Sequence, residues 1–403
     1  MAKIITDEKK VEELFGRYIQ ILFPSKEKAR ELLMSGKKLS FYHGVDPTGP
    51  DIHLGHTTNY FVLKKLIELG HKIFLLIGDF TAQTGDPTDK DSTRKPLTEK
   101  EVEENMKNYI NQVQKILPKG SFEVKYNSSW LKKMNLGELR KLARLVTVQQ
   151  TISREMFQKR IEEGKQITIE EFLYPLMQGY DSVALKIDGE VGGNDQLFNM
   201  MVGRDLVKSL LNKEKVVITT RLLEDPETGK KIMSKSEGHY ISLNDSPKEM
   251  FGKTMAISDS MILPLFNYAT ELSDSAVGGI KKRLDAGENP KLLKEELAFE
   301  LIRMYHGEKE AQKAKEEFEK VFSEGGLPQD IEELVLDSTN ITLLDLLEKS
   351  GLVSSKSEAK RLVQEGGVQI DGVKKENWNQ SLILEGGEVL KVGPRRFKKI
   401  VVR

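Results

Sequence analysis

Two of the six histidines stand together as His53-Leu54-Gly55-His56. A spacing of three places both imidazoles on one face of a helix's first turn. The surrounding segment, FYHGVDPTGPDIHLGH (41–56), leaves an apolar run, turns through Pro47, Gly49 and Pro50, and opens a helical pattern. Amide groups at a helix start attract phosphate oxygens, and Gly55 lets a ligand approach the backbone. Three readings fit the spacing alone: a phosphate site, two polar residues in an ordinary strand–turn–helix, or a metal pair. The metal reading lacks a nearby third ligand or thiolate.

Four further segments carry candidate chemistry. TGKKIMSKSEGHYISL (228–243) combines Gly229 with Lys230, Lys231 and Lys235. Such a loop could fold over a triphosphate and neutralise charge developing on it, or be a solvated surface loop. GDPTDKDSTR (85–94) is a Gly/Asp/Pro turn bearing Lys90 and Arg94. In YPLMQGYD (174–181), Tyr174, Gln178 and Asp181 recur at spacings that share one helix face. That face is either solvated or turned inward around a substrate. GGNDQ (192–196) stands at a strand end before a helix, with Asp195 available for a ribose hydroxyl.

These segments need a scaffold that brings strand ends and helix starts together. LSFYHGV (39–45), KIFLLIGDF (72–80), GEVGG (189–193) and KVVITT (215–220) read as strands. Helices are expected over 7–22, 25–35, 53–70, 98–117, 136–162, 168–186 and 195–211. Two strand–helix–strand halves around a helical insertion at about 98–186 predict a Rossmann-like doubly wound parallel sheet over 1–245. Residues 246–325 read as a charged helical domain, 326–340 as a linker, and 341–403 as a small α+β unit with turns at Asp371-Gly372 and Gly386-Gly387.

The chain has 403 residues, a net charge of zero and no cysteine. Length implies two or three domains. The missing cysteines exclude disulfides and thiolate metal sites. No run approaches ~18 consecutive apolar residues, and the charged N-terminus lacks an export-signal core. No membrane segment and a cytoplasmic location are the expectations. A neutral chain needs a local basic patch to hold a polyanion. Residues 341–403 carry 12 Lys/Arg against 8 Asp/Glu. Lys356 and Lys360 share a helical face there, with Arg361 adjacent.

The five segments, in this order, resemble class I aminoacyl-tRNA synthetases. His53-Leu54-Gly55-His56 resembles the HIGH motif, and Ile232-Met233-Ser234-Lys235-Ser236 resembles KMSKS. The intervening motifs resemble tyrosyl-tRNA synthetases more than their tryptophanyl relatives, and the C-terminal unit resembles an S4-type RNA-binding domain. The resemblance implies tyrosine activation by ATP, with Mg2+ arriving on the phosphates, and transfer to tRNA by a homodimer. It implies that Tyr42 and Asp181 contact the substrate phenol, and that Tyr174, Gln178 and Asp86 hold its ammonium. Asp46, Thr48, His53, Gly55 and His56 match the ATP-phosphate side. Asp195 matches the ribose contact, with Gln196 beside it. Lys90 and Arg94 match a mobile loop that grips pyrophosphate, and Lys235 matches the second KMSKS lysine. Ile232 replaces the first, with Lys231 one position earlier. Lys356, Lys360 and Arg361 are the expected RNA contacts, and no resident metal is implied. Two other readings stand beside this one: a nucleotidyltransferase for another carboxylic acid, and an RNA-binding protein on a synthetase scaffold.

Overall fold

Six segments within the first 220 residues assemble into one sheet in the computed structural model. It describes residues 3–87, 97–229, 231–233, 240–322, 331–336, 338–353, 355–393 and 396–402, without the side chains of 321 and 322. The strands are β1 (Ile19–Phe23), β2 (Ser40–Val45), β3 (Lys72–Ile77), β4 (Phe122–Tyr126), β5 (Gly189–Gly193) and β6 (Val216–Thr220), in the order β1-β6-β5-β2-β3-β4. β2 to β6 run parallel, and β1 pairs antiparallel with β6. The chain winds from β2 through β3 to β4 in one direction, then returns to β5 and β6 on the other side. That reversal opens a crevice at the carboxyl ends of β2 and β5.

The β2–β5 join is close. Phe41 sits opposite Gly189, and Tyr42 opposite Glu190. A Cβ on Gly189 would lie 2.4 Å from the Phe41 ring and 3.2 Å from the Val216 carbonyl oxygen. Gly189→Ala should therefore destabilise the protein by about 1–3 kcal/mol. Urea denaturation checks this, with a lowered midpoint and unchanged slope as the expected result.

Several expected elements differ in detail. The helix expected over 7–22 stops at Leu14, and IQILF becomes β1. An apolar run of that length satisfies either periodicity, and β6 offers an unpaired edge. The helix expected over 98–117 divides into Glu99–Met106 and Tyr109–Val113. The pattern at 136–162 divides into Leu136–Ala143, Val148–Ile152 and Glu155–Glu162. Asn135 and Thr147 each cap a new start through a reciprocal side-chain–backbone box, which sets these breaks locally. The insertion also contains β4, an edge strand of half-buried and exposed residues without a continuous apolar signal.

Helix Ile169–Leu185 packs on helix Leu197–Leu211 through glycines. A Cβ on Gly179 would meet the Gly203 amide nitrogen at 3.2 Å. Residues 247–306, the bulk of the expected helical domain, fall in the same compact unit as the sheet, Met1–Gln312. Thr58 donates to the Tyr268 carbonyl at 3.0 Å, and Arg17 Nε to that of Asn267 at 2.7 Å, tying the block down.

The second unit, Lys313–Arg403, has its own core around Leu346, Leu347, Leu390 and Ile400. Its strands are β7 (Glu333–Leu336), β8 (Asn340–Thr342), β9 (Val368–Ile370), β10 (Val373–Lys374), β11 (Ser381–Ile383), β12 (Val389–Val392) and β13 (Arg396–Val402). Five form a sheet in the order β10-β9-β12-β13-β7, and β11 pairs with β8. The stretch 326–340, expected as a linker, thus supplies β7, which runs parallel to β13. Asp371 and Gly372 turn β9 into β10 with φ of 49° and 77°, the left-handed pair a tight hairpin needs.

Candidate active site

The turn Asp46–Asp51 leaves β2, and helix Leu54–Glu68 begins beyond it. Three side chains from the divided helices fasten this turn. Asn105 donates to the Pro47 carbonyl at 2.9 Å, Tyr109 to that of Gly49 at 2.8 Å, and Gln112 to that of Pro50 at 2.9 Å. Gln112 also accepts from the Ile52 amide at 2.7 Å. The turn expected on the phosphate side is therefore held by the insertion. Asn105, Tyr109 and Gln112 follow the same spacing as Tyr174, Gln178 and Asp181, a pattern present in the sequence.

His53 is the N-cap residue of helix Leu54–Glu68. Its Nδ1 accepts from the Gly55 amide at 3.2 Å, and Nδ1 of His56 accepts from the His53 amide at 3.2 Å. An accepting Nδ1 carries no proton, so each neutral ring bears its hydrogen on Nε2. The imidazole centroids lie 3.9 Å apart. The tautomers thus give the HLGH start two ring N–H donors, one on each Nε2.

The residues flanking 234–239 lie against this start. Leu54 donates its amide to the Ile241 carbonyl at 3.0 Å, and His53 pairs with Ser242 in an antiparallel bridge. The Tyr240 ring lies 5.6 Å from that of His53. A Cβ on Gly55 would approach the Met233 carbonyl oxygen to 3.5 Å, and Met233 adopts φ of 62°. Both flanks of 234–239 therefore meet the helix start. Lys235 itself falls outside the described residues, as do Lys90 and Arg94.

At the carboxyl end of β2, Asp46 accepts from Thr81 at 2.8 Å and from the Tyr174 hydroxyl at 2.8 Å. The proposed phosphate-side carboxylate and ammonium-side phenol are thus one cluster. Burial, with Asp46 and Asp86 nearby, pushes the Tyr174 hydroxyl well above its usual range. Asp86 accepts from Gln196 at 2.5 Å, and Gln196 accepts from Asn199 at 3.1 Å. Gln196 therefore holds Asp86, expected on the ammonium side, in place. Asp195, expected on the ribose side, pairs with Lys231 at 2.8 Å, so Lys231, adjacent to the missing first lysine, reaches that carboxylate. Thr48 stays on the turn, its amide donating to the Asp46 carbonyl at 2.8 Å.

Tyr42 and Asp181 are both buried, yet their partners differ from the simplest expectation. The Tyr42 hydroxyl lies 3.1 Å from Ser182 Oγ. Asp181 accepts from Trp130 Nε1 at 2.7 Å and from Asn127 Nδ2 at 3.3 Å. Burial raises the Asp181 carboxyl well above the usual range, while these two bonds oppose the shift. Gln178 donates to Glu190 at 3.3 Å. Trp130, Asn127 and Ser182 were not legible as site residues, although Trp130 is one of only two tryptophans and loosely signalled a special position.

The family model for class I tRNA synthetases (W and Y) matches residues 34–323, and that for a tyrosine–tRNA ligase C-terminal domain matches 323–385. A tyrosine–tRNA ligase of Bdellovibrio bacteriovorus is 44% identical over 94% of this chain and 94% of its own. The chain belongs to the tyrosyl-tRNA synthetase family. A tyrosine–tRNA ligase of Thermotoga maritima is 41% identical over 98% of both chains. The crystal structure of a C-terminally truncated Aspergillus nidulans mitochondrial tyrosyl-tRNA synthetase shares the fold, with TM-score 0.64, 22% identity, and coverage of 78% of this chain and 95% of that one. Doubly wound α/β architecture is thus a property the tyrosyl-tRNA synthetase family and this chain have in common.

In the C-terminal unit, helix Lys356–Gln364 carries the expected RNA contacts. Lys356 pairs with Glu348 at 3.2 Å, and Arg361 stands 3.9 Å from Glu365. Lys360 lies 4.1 Å over the Trp378 ring, which positions its stem. Lys356 and Arg361 are exposed.

Proposed function

We propose that the crevice between β2 and β5 joins tyrosine to ATP, and that the HLGH start and the segment around Lys235 hold the triphosphate. A tyrosyl-tRNA synthetase activates tyrosine with ATP and charges tRNA with it. The tyrosine carboxylate attacks the α-phosphorus, an acyl–phosphate bond forms, and the bond to pyrophosphate breaks. A terminal tRNA hydroxyl then attacks the acyl carbon, and AMP leaves. The attacking carboxylate is already ionised, so the protein's task is positioning and charge stabilisation. The Nε2–H groups of His53 and His56, with Gly55 keeping the approach open, supply donors to phosphate oxygens. Lys235, Lys90 and Arg94 supply positive charge to the pyrophosphate. Mg2+ enters as part of the ATP substrate, bound largely through phosphate oxygens.

Tyr42 and Asp181 face the phenol in this reading, and Tyr174, Gln178 and Asp86 the ammonium. Asp195 and Gln196 take the ribose side, with Asp46, Thr48 and Lys231 lining the ATP end. The observation that carries the reading is the meeting of the HLGH start with both flanks of residues 234–239. A nucleotidyltransferase for another acid, or an inactive RNA-binding scaffold, needs no buried Tyr42 and Asp181 beside it.

The C-terminal unit serves as the RNA-binding part, through Lys356, Lys360 and Arg361, and the block near 246–325 as the anticodon side. Two copies form the working enzyme. The insertion supports this with exposed apolar residues Leu136 and Val148, 80% and 63% exposed. A second copy covers them. The cytoplasm, where tRNA is used, is the proposed location, and no described helix is long and apolar enough to cross a membrane.

Removing residues 341–403 tests the division of labour. The shortened protein should retain tyrosine-dependent ATP–pyrophosphate exchange while tRNA charging falls by at least about tenfold, the loss expected from removing a few phosphate contacts. Loss of exchange would move part of the site into the second unit. Normal charging would remove the RNA role from Lys356, Lys360 and Arg361.

A further inference from the structure

We propose that Lys215 and Ser182 are positioning residues that fix the direction of hydrogen bonding at the Tyr42 hydroxyl, and thereby select a para substituent that accepts from Tyr42 and donates to Asp181. The proposal rests on the reading of Tyr42 and Asp181 as the phenol's partners.

Lys215 heads β6 and is completely buried. Its ammonium donates to Ser182 Oγ at 2.8 Å, to the Met200 carbonyl at 3.1 Å, and to Glu190. Three protons meet three acceptors, and an ammonium accepts nothing. The space is built for it. A Cβ on Gly203 would stand 2.6 Å from Nζ and 2.9 Å from Ser182 Oγ. A buried ion pair is seldom needed for stability alone, since apolar residues of like volume usually serve as well.

Direction follows from the donors. Lys215 occupies one lone pair of the Ser182 hydroxyl. Among the described residues, the only other partner of that hydroxyl is Tyr42, at 3.1 Å. Ser182 therefore gives its single proton to the Tyr42 oxygen, since a buried donor left unmade is costly. Tyr42 then has its own proton to give. Glu190, opposite Tyr42 on β5 and also accepting from Lys215 and Gln178, bonds that hydroxyl as well, so Tyr42 already stands as a donor and an incoming oxygen takes the place of Glu190 as its acceptor. The line of donation runs Lys215, Ser182, Tyr42, ligand oxygen, Asp181. A phenol satisfies both ends. An arylamine, chiefly a donor, meets the Tyr42 hydrogen with the wrong polarity.

The test compares tyrosine with 4-aminophenylalanine in ATP–pyrophosphate exchange, for wild type, Ser182→Ala, and the charge-balanced Lys215→Met/Glu190→Gln pair. Without the Ser182 proton, Tyr42 can rotate and accept. Ser182→Ala should lower kcat/KM for tyrosine by on the order of tenfold through KM, as for one buried hydrogen bond, and leave that for the amine undiminished. The preference should shrink by the same factor. The double variant should do likewise, and if it does not fold, Ser182→Ala decides alone. An unchanged tyrosine-to-amine ratio overturns the proposal, because a structural role would lower both substrates together. Asp181→Ala separates the two levels. If it leaves the tyrosine-over-phenylalanine preference intact, the pocket reading fails. If it erodes that preference while Ser182→Ala keeps the wild-type ratio, the directional relay alone fails.

Discussion

His56→Ala should slow tyrosyl-adenylate formation by on the order of 10²-fold, the usual loss when one preorganised donor to a developing anion is removed. The tautomer is the reason. The His53 amide donates to His56 Nδ1 at 3.2 Å, so the ring hydrogen is held on Nε2 before any nucleotide arrives. Charge that builds on the phosphates during attack meets a donor that needs no reorganisation. Tyrosine binding should change little, because Tyr42 lies on β2 and Asp181 on helix Ile169–Leu185, not on this helix start. Glutamine at position 56 should restore part of the rate, since it keeps an N–H donor and can cap the helix reciprocally. Stopped-flow measurement of adenylate formation, with separate titration of tyrosine, distinguishes these effects. An unchanged rate constant in His56→Ala would reduce His56 to a capping residue.

Asp181→Ala should lower kcat/KM for tyrosine by on the order of 10²-fold, with the phenylalanine value nearly unmoved. The carboxylate is the buried acceptor for the phenol hydrogen in the proposed pocket. Its loss also strands the Trp130 and Asn127 donors that reach it at 2.7 Å and 3.3 Å. Those donors are stranded in the empty and the occupied pocket alike, so only tyrosine loses a hydrogen bond of its own. Preference for tyrosine over phenylalanine should collapse accordingly. Pyrophosphate exchange with each amino acid measures the two values directly. Equal preference before and after substitution would remove Asp181 from recognition.

Much of the frame was readable in order. β2, β3, β5 and β6 lie within the segments read as strands, and β3, KIFLLI, is the continuous apolar run that burial on both faces produces. The helix over the HLGH segment and that over Tyr174–Asp181 were equally plain. β1 and β4 were missed for opposite reasons. IQILF is apolar enough for either period, and FEVKY carries charge on an exposed edge. The stretch 331–336 gave no sign of joining a sheet because its partner, β13, lies more than sixty residues later.

Local chemistry was therefore set by the sequence itself: the paired imidazoles at a helix start, the lysine-bearing loop, the shared face of Tyr174, Gln178 and Asp181. Spacing along a chain governs which side chains share a turn, and it needs no fold to be read. Partners across the sheet were decided only by tertiary structure. Ser182 reaches Tyr42 over 140 positions, and the Tyr174 hydroxyl finds Asp46 over 128. Burial strips water from such groups and leaves each needing a protein partner, and which partner stands there depends on how distant elements pack.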